Sequence, residues 1–191
     1  MDETDFWEIV DETREATGGG DPDAHADLLV ERLAGLDPES VTDFARHFEA
    51  RFNRAYRWDV WGAAWVLLGG GVGDDTFENF RCWLISQGRQ VFEGTLSAPD
   101  ELAALLPVDF DPVTDGEAEE LGYAAYDAYE QLTGDQLPAL GLPEAPREPA
   151  GDPVDFEDDA ALAAAYPRLW ERMHEPSAGA GGEAPGGPVG R

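Results

Sequence analysis

Hydrophobic residues recur every three or four positions along most of this chain, the spacing that one face of an α-helix requires. The two clearest stripes are Phe44, Phe48, Phe52 and Tyr56, followed by Trp58, Trp61, Trp65 and Leu68. No segment shows a convincing alternation of polar and apolar residues, which would be typical of a strand. The pattern therefore predicts an all-α protein, a compact bundle of about seven or eight helices.

Start and stop signals divide this pattern into helices. Asp-Pro pairs at 21–22 and 37–38 are typical helix starts, and glycine triplets at 18–20 and 69–71 are typical stops. We expect Asp74 and Asp75 to cap a helix that contains Phe77 and Phe80. Other predicted helices cover residues 3–16, 22–36, 89–96, 99–106, 115–133 and 157–174. Pro167 should kink or split the last of them, because proline removes a backbone N–H and clashes with the preceding turn.

The predicted organisation has four parts. Residues 1–136 form a helical domain, and residues 137–156 form a proline-rich linker or a strap across its surface. Residues 157–175 form a C-terminal helical segment. Residues 176–191 are mostly Gly, Ala and Pro, which predicts a disordered tail because so few apolar side chains cannot build a core.

Acidic residues dominate the composition. The chain has 41 Asp and Glu against 12 arginines and no lysine, a formal net charge of −29. Residues 1–39 carry −11, residues 40–92 carry 0 and residues 93–191 carry −18, and the neutral middle holds 11 of the 20 aromatic residues. We therefore expect no nucleic-acid or membrane partner, because both need clustered cations on the protein. The oligomeric state does not follow from the sequence.

The sequence also favours a cytoplasmic protein. Its first residues are acidic, unlike those of a signal peptide, and its longest near-apolar run, at about 62–72, is too short to span a bilayer. The absence of lysine has two explanations: a GC-rich genome, in which arginine codons displace lysine codons, or a salt-adapted cytoplasm. We favour the GC-rich genome.

Arginines near tryptophans are the strongest candidates for a ligand site. Four of them cluster on and just after the third predicted helix: Arg46, Arg51, Arg54 and Arg57. They either form an anion pocket or pair with the acidic flanks and the helix dipole, and we favour pairing. The candidate ligand-binding residues are Arg81, Trp83, Trp58, Trp61, Arg54 and Arg57.

Arg81 differs from the other arginines because it lies between Phe80 and Cys82 in an apolar helix. We expect it to be partly buried, and a buried arginine needs a carboxylate partner. Asp74, Asp75 or an N-terminal acid could supply it.

Other chemistry finds little support. The three histidines lack metal-ligand spacing, and the single Cys82 has no base beside it. Residues 109–120 fail as a calcium loop, since Val113 and Thr114 occupy positions that need a ligand and a glycine. The glycines at 69–73 lack the lysine of a phosphate loop. We expect no metal and no cofactor, and we assign no catalytic residue.

One stretch resembles a known family. The string FENFRCWLISQG at 77–88 stands out, together with Trp61, Gly69-Gly70, Asp74-Asp75, Pro99-Asp100, Leu102 and an early Phe6-Trp7. With these residues, about 1–135 resemble a bacterial family of unknown function, numbered 4240 and frequent in actinobacteria. Gly73 stands where that family's pattern leads us to expect serine, which implies a weaker helix cap. The resemblance implies no activity, cofactor or partner.

Two functions remain open. The first is a binding module, of a regulatory or immunity type, that uses its acidic surface to attract a basic protein partner. The second is an enzyme or a binder of a small anionic ligand, with an arginine-lined aromatic pocket. We favour the first, because no catalytic constellation is recognisable and the flanks are strongly acidic.

Overall fold

The computed structural model describes residues 1–18, 21–107, 110–112 and 118–174. Within these ranges the chain forms ten α-helices and one 3₁₀ turn, Pro99–Glu101, and no strand. The helices are α1 Glu3–Ala16, α2 Pro22–Ala34, α3 Pro38–Arg54, α4 Trp58–Leu67, α5 Asp74–Ser86, α6 Arg89–Ser97, α7 Leu102–Leu105, α8 Glu119–Thr133, α9 Asp159–Ala165 and α10 Pro167–His174. The all-α prediction is confirmed.

Helix α5 lies at the centre of the bundle. It packs against α1, α3, α4, α6 and α8, and every residue from Phe80 to Ser86 is buried. The largest fully buried side chains are aromatic: Trp83, Phe6, Phe44, Phe77, Phe80 and Phe92. Phe44 and Phe48 of the predicted stripe on α3 are buried, as is the apolar side of α5. Phe52 and Tyr56 are partly buried against the core, and Tyr56 lies beyond the end of α3.

The helix ends follow the sequence signals with one exception. Asp21 and Asp37 cap α2 and α3 through their side chains, each followed by proline at the first helical position. Helix α5 starts from Gly73, which supplies no side-chain cap. Asp74 and Asp75 lie in its first turn, where their charge favours the helix dipole, and they do not cap it as predicted.

The described residues contain ten α-helices, where seven or eight were predicted. The helix predicted over 99–106 is present as a 3₁₀ turn followed by the single-turn helix α7, which leaves the count unchanged. The last predicted helix splits into α9 and α10 at Pro167, as its missing N–H requires. The predicted disordered tail lies outside the described residues, as do residues 113–117 at the predicted start of α8.

The segment after α8 lies along the helical bundle. Ala150 forms an isolated bridge with Arg57: its N–H donates to the carbonyl of Tyr56 (2.9 Å), and its carbonyl accepts from the N–H of Trp58 (3.0 Å). Phe156 then stacks on Trp65, with ring centroids 4.6 Å apart. This stretch closes over the tryptophan face of α4.

Helices α9 and α10 fix the end of this segment. The Asp100 carboxylate accepts from the backbone N–H groups of Arg168 and Leu169 (3.0 Å each), so it caps α10 from another part of the chain. The Tyr166 hydroxyl donates to the carbonyl of Asp59 (2.8 Å). Gly62 makes room for this ring, because a Cβ there would collide with the phenol of Tyr166.

We predict that Gly62→Ala destabilises the protein. In an open helix this change stabilises by about 1 kcal/mol, whereas overpacking against Tyr166 costs about 1–3 kcal/mol. Urea denaturation should therefore show a lower free energy of unfolding for Gly62→Ala if the Tyr166 ring packs on Gly62, and a higher one if it does not. The matched background is Tyr166→Ala, in which Gly62→Ala should become stabilising. A stabilising Gly62→Ala in the wild-type background would contradict the packing of the Tyr166 ring on α4.

No helix in the described ranges combines the length and the apolar character that crossing a membrane requires.

Candidate functional site

The predicted site arginines on α3 and just after it are held by acids. Arg54 donates two hydrogen bonds to Glu93, from Nη1 to Oε1 (2.7 Å) and from Nη2 to Oε2 (2.5 Å). This pairing raises the pKa of Arg54 and lowers the pKa of Glu93. Arg57 pairs with Asp59 and donates to the carbonyl of Leu96 (2.8 Å). Both guanidinium groups are thus already engaged within the chain.

The remaining two arginines of that cluster also have acidic partners. Arg46 lies 2.5 Å from Asp43. Arg51 is buried and lies 3.2 Å from Glu3, while its guanidinium covers the rings of Phe6 and Trp7 at 4.6 and 5.0 Å. Arg51 and Arg54 pair with acids of the flanks, as the favoured interpretation expects. Arg46 and Arg57 pair instead with acids of the neutral segment, residues 40–92.

Arg81 is buried as expected, but its surroundings differ from the prediction. Its nearest carboxylate is Glu78, one turn earlier, at 3.8 Å, and not Asp74, Asp75 or an N-terminal acid. Its guanidinium instead stacks over Phe52 at 3.7 Å, and its Nη1 donates to the Phe52 carbonyl (3.2 Å). Desolvation lowers the pKa of Arg81, and Glu78 opposes this shift. Aromatic faces supply much of the compensation that we expected from acids.

The three candidate tryptophans belong to one run of aromatic rings, of which the first four are stacked and the rest are tilted. The run is Trp58, Trp61, Phe77, Phe80, Trp83 and Phe110, with successive centroids 4.5 to 6.3 Å apart. Trp61 Nε1 donates to the carbonyl of Val72 (2.9 Å), and Phe156 approaches both Trp58 and Trp61. These rings therefore belong to the core of the bundle. They do not bring the six candidate ligand-binding residues together in one pocket.

A different place offers an open site. A cleft of about 350 Å³ lies between α3, α5 and α8. We call it the acidic cleft, and its described wall consists of Phe44, Ala45, Phe48, Glu49, Phe52, Glu78, Asn79, Cys82, Glu119, Leu121, Gly122, Tyr123, Ala125 and Tyr126. None of the six predicted ligand-binding residues is in this wall, although Phe52 and Glu78 are direct neighbours of Arg81.

The walls of the acidic cleft combine a buried floor with exposed tyrosines. Phe44, Cys82 and Leu121 are buried. Tyr123 is 52% exposed and Tyr126 46%, which makes them the most exposed large hydrophobic residues in the described part of the chain. Gly122 brings α8 close to α5, since a Cβ there would lie 3.1 Å from Cys82 Sγ. Both tyrosines lie on the face of α8 next to its buried face. Exposed aromatic rings of this kind are typical of a surface that contacts another molecule.

Three carboxylates give the acidic cleft its charge. Glu49, Glu78 and Glu119 come from α3, α5 and α8, one from each helix. Burial raises the pKa of the Cys82 thiol to about 12; Arg81 opposes the shift, and the three carboxylates add to it. Burial, with a smaller effect of Glu49, also raises the pKa of Tyr126. The wall of the cleft therefore carries three carboxylates over an apolar floor, and the guanidinium of Arg81 is close enough to oppose their effect on Cys82.

This site does not favour metal or thiolate chemistry. The described residues contain no group of three or more His, Cys, Asp and Glu side chains arranged to hold a metal ion. Cys82 is a buried thiol that stays protonated at neutral pH, so it is a poor nucleophile. The cleft can instead bind a group that carries positive charge and apolar surface.

Family comparison agrees with the resemblance in the sequence. Residues 1–131 match a family model described as "Protein of unknown function (DUF4240)", which is more than half of the chain. The chain belongs to the DUF4240 family. Every wall residue of the acidic cleft lies within the matched part of this DUF4240 protein. No curated protein matches the chain, and no solved structure matches it.

The acidic cleft was not predicted, because the apolar spacing along α8 indicates only its buried face. That spacing places Leu121, Ala124, Ala125 and Ala128 inside, and all four residues are buried. The overlooked signal is the pair Tyr123 and Tyr126, three residues apart on the neighbouring face, where polar residues are expected.

A second buried titratable group lies between α1 and α2. The His25 ring is 4% exposed, and its Nε2 lies 2.9 Å from the hydroxyl of Thr13. The Thr13 hydroxyl also donates to the carbonyl of Ile9 (2.8 Å). Desolvation, reinforced by the charge of Arg14, lowers the pKa of His25 to about 4. His25 is thus neutral in the native protein at neutral pH.

We predict that His25 makes the DUF4240 protein acid-sensitive. The unfolded chain binds a proton on this histidine below about pH 6.5, while the native protein does so only near pH 4. Stability should therefore fall by about 3 kcal/mol between these values. Urea denaturation at pH 7, 5.5 and 4.5 should show that His25→Gln lacks this component, whereas the exposed His174→Gln retains it. Parallel curves for wild type and His25→Gln would contradict the prediction.

Proposed function

We propose that this DUF4240 protein is a binding module, of a regulatory or immunity type, that captures a basic protein partner at the acidic cleft. The observation that supports this proposal is the composition of the cleft wall. It presents three carboxylates and two half-exposed tyrosines, and among its described residues it contains no arginine. Interfaces are enriched in exposed tyrosine, and a negative wall selects a positive partner.

The overall charge supports the same proposal. A net charge of −29 creates a negative field that attracts a basic partner and accelerates its association. Most of this charge has no counterpart in the chain, because 41 acids face 12 arginines. Steering alone is not specific, so specificity has to come from the shape and the tyrosines of the acidic cleft.

The alternative, an enzyme or anion binder with an arginine-lined pocket, has less support. Arg54 and Arg57 are neutralised by Glu93 and Asp59, and Arg81 is enclosed by aromatic rings. Trp83 lines a separate cavity of only about 30 Å³, together with Arg14 and His25. That volume is in the range of one water molecule.

We also propose that the protein acts in the cytoplasm of an actinobacterium. The support is compositional: twelve arginines and no lysine are typical of a GC-rich genome.

The function is tested by removing the exposed rings without changing the charge. Immobilised full-length chain is exposed to lysate from its native cells in about 0.15 M salt, where long-range attraction between surface charges is screened. We expect capture of an identifiable basic protein, and loss of that protein with Tyr123→Ser plus Tyr126→Ser. The control is Leu132→Ala, which removes an exposed apolar side chain of α8 outside the cleft.

Thermal unfolding of each variant shows whether the fold is intact. Capture that persists in the double tyrosine variant, or that disappears equally with Leu132→Ala, would contradict the assignment of this cleft. The absence of any captured basic protein would contradict the function itself.

A further inference from the structure

We infer that the acidic cleft holds a single arginine side chain of the partner, which anchors the partner segment to α3, α5 and α8. This inference rests on the proposed function and specifies the chemistry of its ligand. Three observations lead to it: the size of the cleft, the placement of its carboxylates, and the way this chain binds its own arginines.

The size of the cleft suits one long side chain. Its volume of about 350 Å³ lies at the lower end of the range for ligand pockets, about 300–1,000 Å³. The floor formed by Phe48 and Cys82 is apolar and buried. An arginine can lay its methylene stem on such a floor while its charged end reaches the rim.

The carboxylates of the cleft retain capacity for a ligand. Glu49 accepts one hydrogen bond, from the neutral amide of Asn53 (3.0 Å). Glu78 is 60% exposed and lies 3.8 Å from Arg81, beyond hydrogen-bond length. With Glu119, these groups surround the cleft from three helices, so a cation placed there meets negative charge on several sides.

The protein already binds its own arginines in such surroundings. Arg81 lies between the rings of Phe52, Tyr56 and Phe77, at 3.7 to 5.2 Å, with Glu78 nearby. Arg51 likewise combines two aromatic rings with one glutamate, Glu3.

The acidic cleft offers the same two elements, aromatic rings and glutamates. Phe52 and Glu78 already lie beside Arg81. The other two glutamates of the wall, Glu49 and Glu119, form no ion pair with an arginine in the described part of the chain.

The rings of the cleft include Tyr123 and Tyr126, which are exposed. The ligand that completes this arrangement is a guanidinium group from outside the chain.

Arginine fits this site better than lysine. Its planar guanidinium stacks on aromatic faces and donates in several directions at once, and it loses less hydration than an ammonium group. Carboxylates on three separate helices can each accept from a different edge of the plane. A lysine would bring one compact charge and could not stack on Tyr123 or Tyr126 in this way.

The test uses three short peptides that differ at one position. The probes are Ac-Gly-Leu-Xaa-Leu-Gly-amide, where Xaa is arginine, lysine or citrulline, the neutral analogue of arginine. Calorimetric titration into the full chain should give the arginine peptide at least about tenfold tighter binding than the citrulline peptide, because hydrogen bonds from a charged donor to a carboxylate are stronger than those from a neutral donor. Lysine should fall between the two.

The exposed tyrosine rings make the measurement site-specific. Tyr123 and Tyr126 are half-exposed in the wall of the cleft. In proton NMR spectra, the ring signals that are absent in the Tyr123→Ser plus Tyr126→Ser variant should shift when the arginine peptide is added, and the shift should saturate at the same concentration as the titration. A shift without saturation would mean non-specific association and would overturn the inference.

Two variants with the same change in net charge distinguish the effect of the cleft carboxylates from that of the overall negative charge of the protein. The triple change Glu49→Gln, Glu78→Gln and Glu119→Gln should reduce affinity for the arginine peptide at least about tenfold. The control triple carries the same change in net charge on exposed glutamates outside the cleft wall: Glu31→Gln, Glu157→Gln and Glu171→Gln. It should retain most of the affinity. Equal losses in the two triples would overturn the inference.

The outcomes distinguish the ligand from the function. If the three peptides bind equally, or if none binds, the arginine anchor is wrong. The proposed function would still stand in that case if a basic protein were captured in a manner that depends on Tyr123 and Tyr126. If no basic protein is captured while the arginine peptide binds selectively, the site assignment stands and the function as a protein-binding module is wrong.

Discussion

The fold depends on burying the C-terminal half of one helix, residues 80–86 of α5, which carries a charged side chain. Helix α5 is surrounded by five other helices, and Arg81 lies in the middle of it with only 4% of its surface exposed. Burying a cation costs several kcal/mol unless it finds compensation. The chain supplies this with the rings of Phe52, Tyr56 and Phe77, a carbonyl and a distant glutamate. Aromatic residues of the neutral middle thus form much of the core and also stabilise the buried charge of Arg81.

The charge pattern along the sequence is rearranged by folding. The neutral middle and the acidic flanks are separate in the sequence, but Glu3 reaches Arg51 and Arg89, and Glu93 reaches Arg54. Acids from both flanks therefore neutralise arginines of the middle. The carboxylates around the acidic cleft are different, because Glu49 and Glu78 come from the neutral segment itself. The local potential of a site follows from the paired charges in space, and the segment totals do not reveal it.

Helices were predictable because their signals are local. The apolar stripes, the Asp-Pro starts and Pro167 each act within a few residues, and each produced the expected element. The partner of Arg81 was not predictable, because the Phe52 ring approaches it from another helix. The acidic cleft also escaped prediction. It arises where α8 packs against α3 and α5, and Gly122 allows the close approach of α8 to Cys82. Sequence periodicity shows which face of a helix is buried, and it does not show which neighbours meet there.

The packed structure extends beyond the part of the chain that matches the family. The family match ends at residue 131, yet Phe156 and Tyr166 cover α4 at Trp65 and Gly62. These two positions are thus shaped by residues outside the family pattern. A relative that ends near residue 131 would expose this tryptophan face to water, so it should carry polar side chains at the positions of Trp58 and Trp65. At the position of Gly62 it is free to carry a larger residue. The residues at the positions of Trp58, Gly62 and Trp65 should therefore indicate whether a family member continues beyond α8.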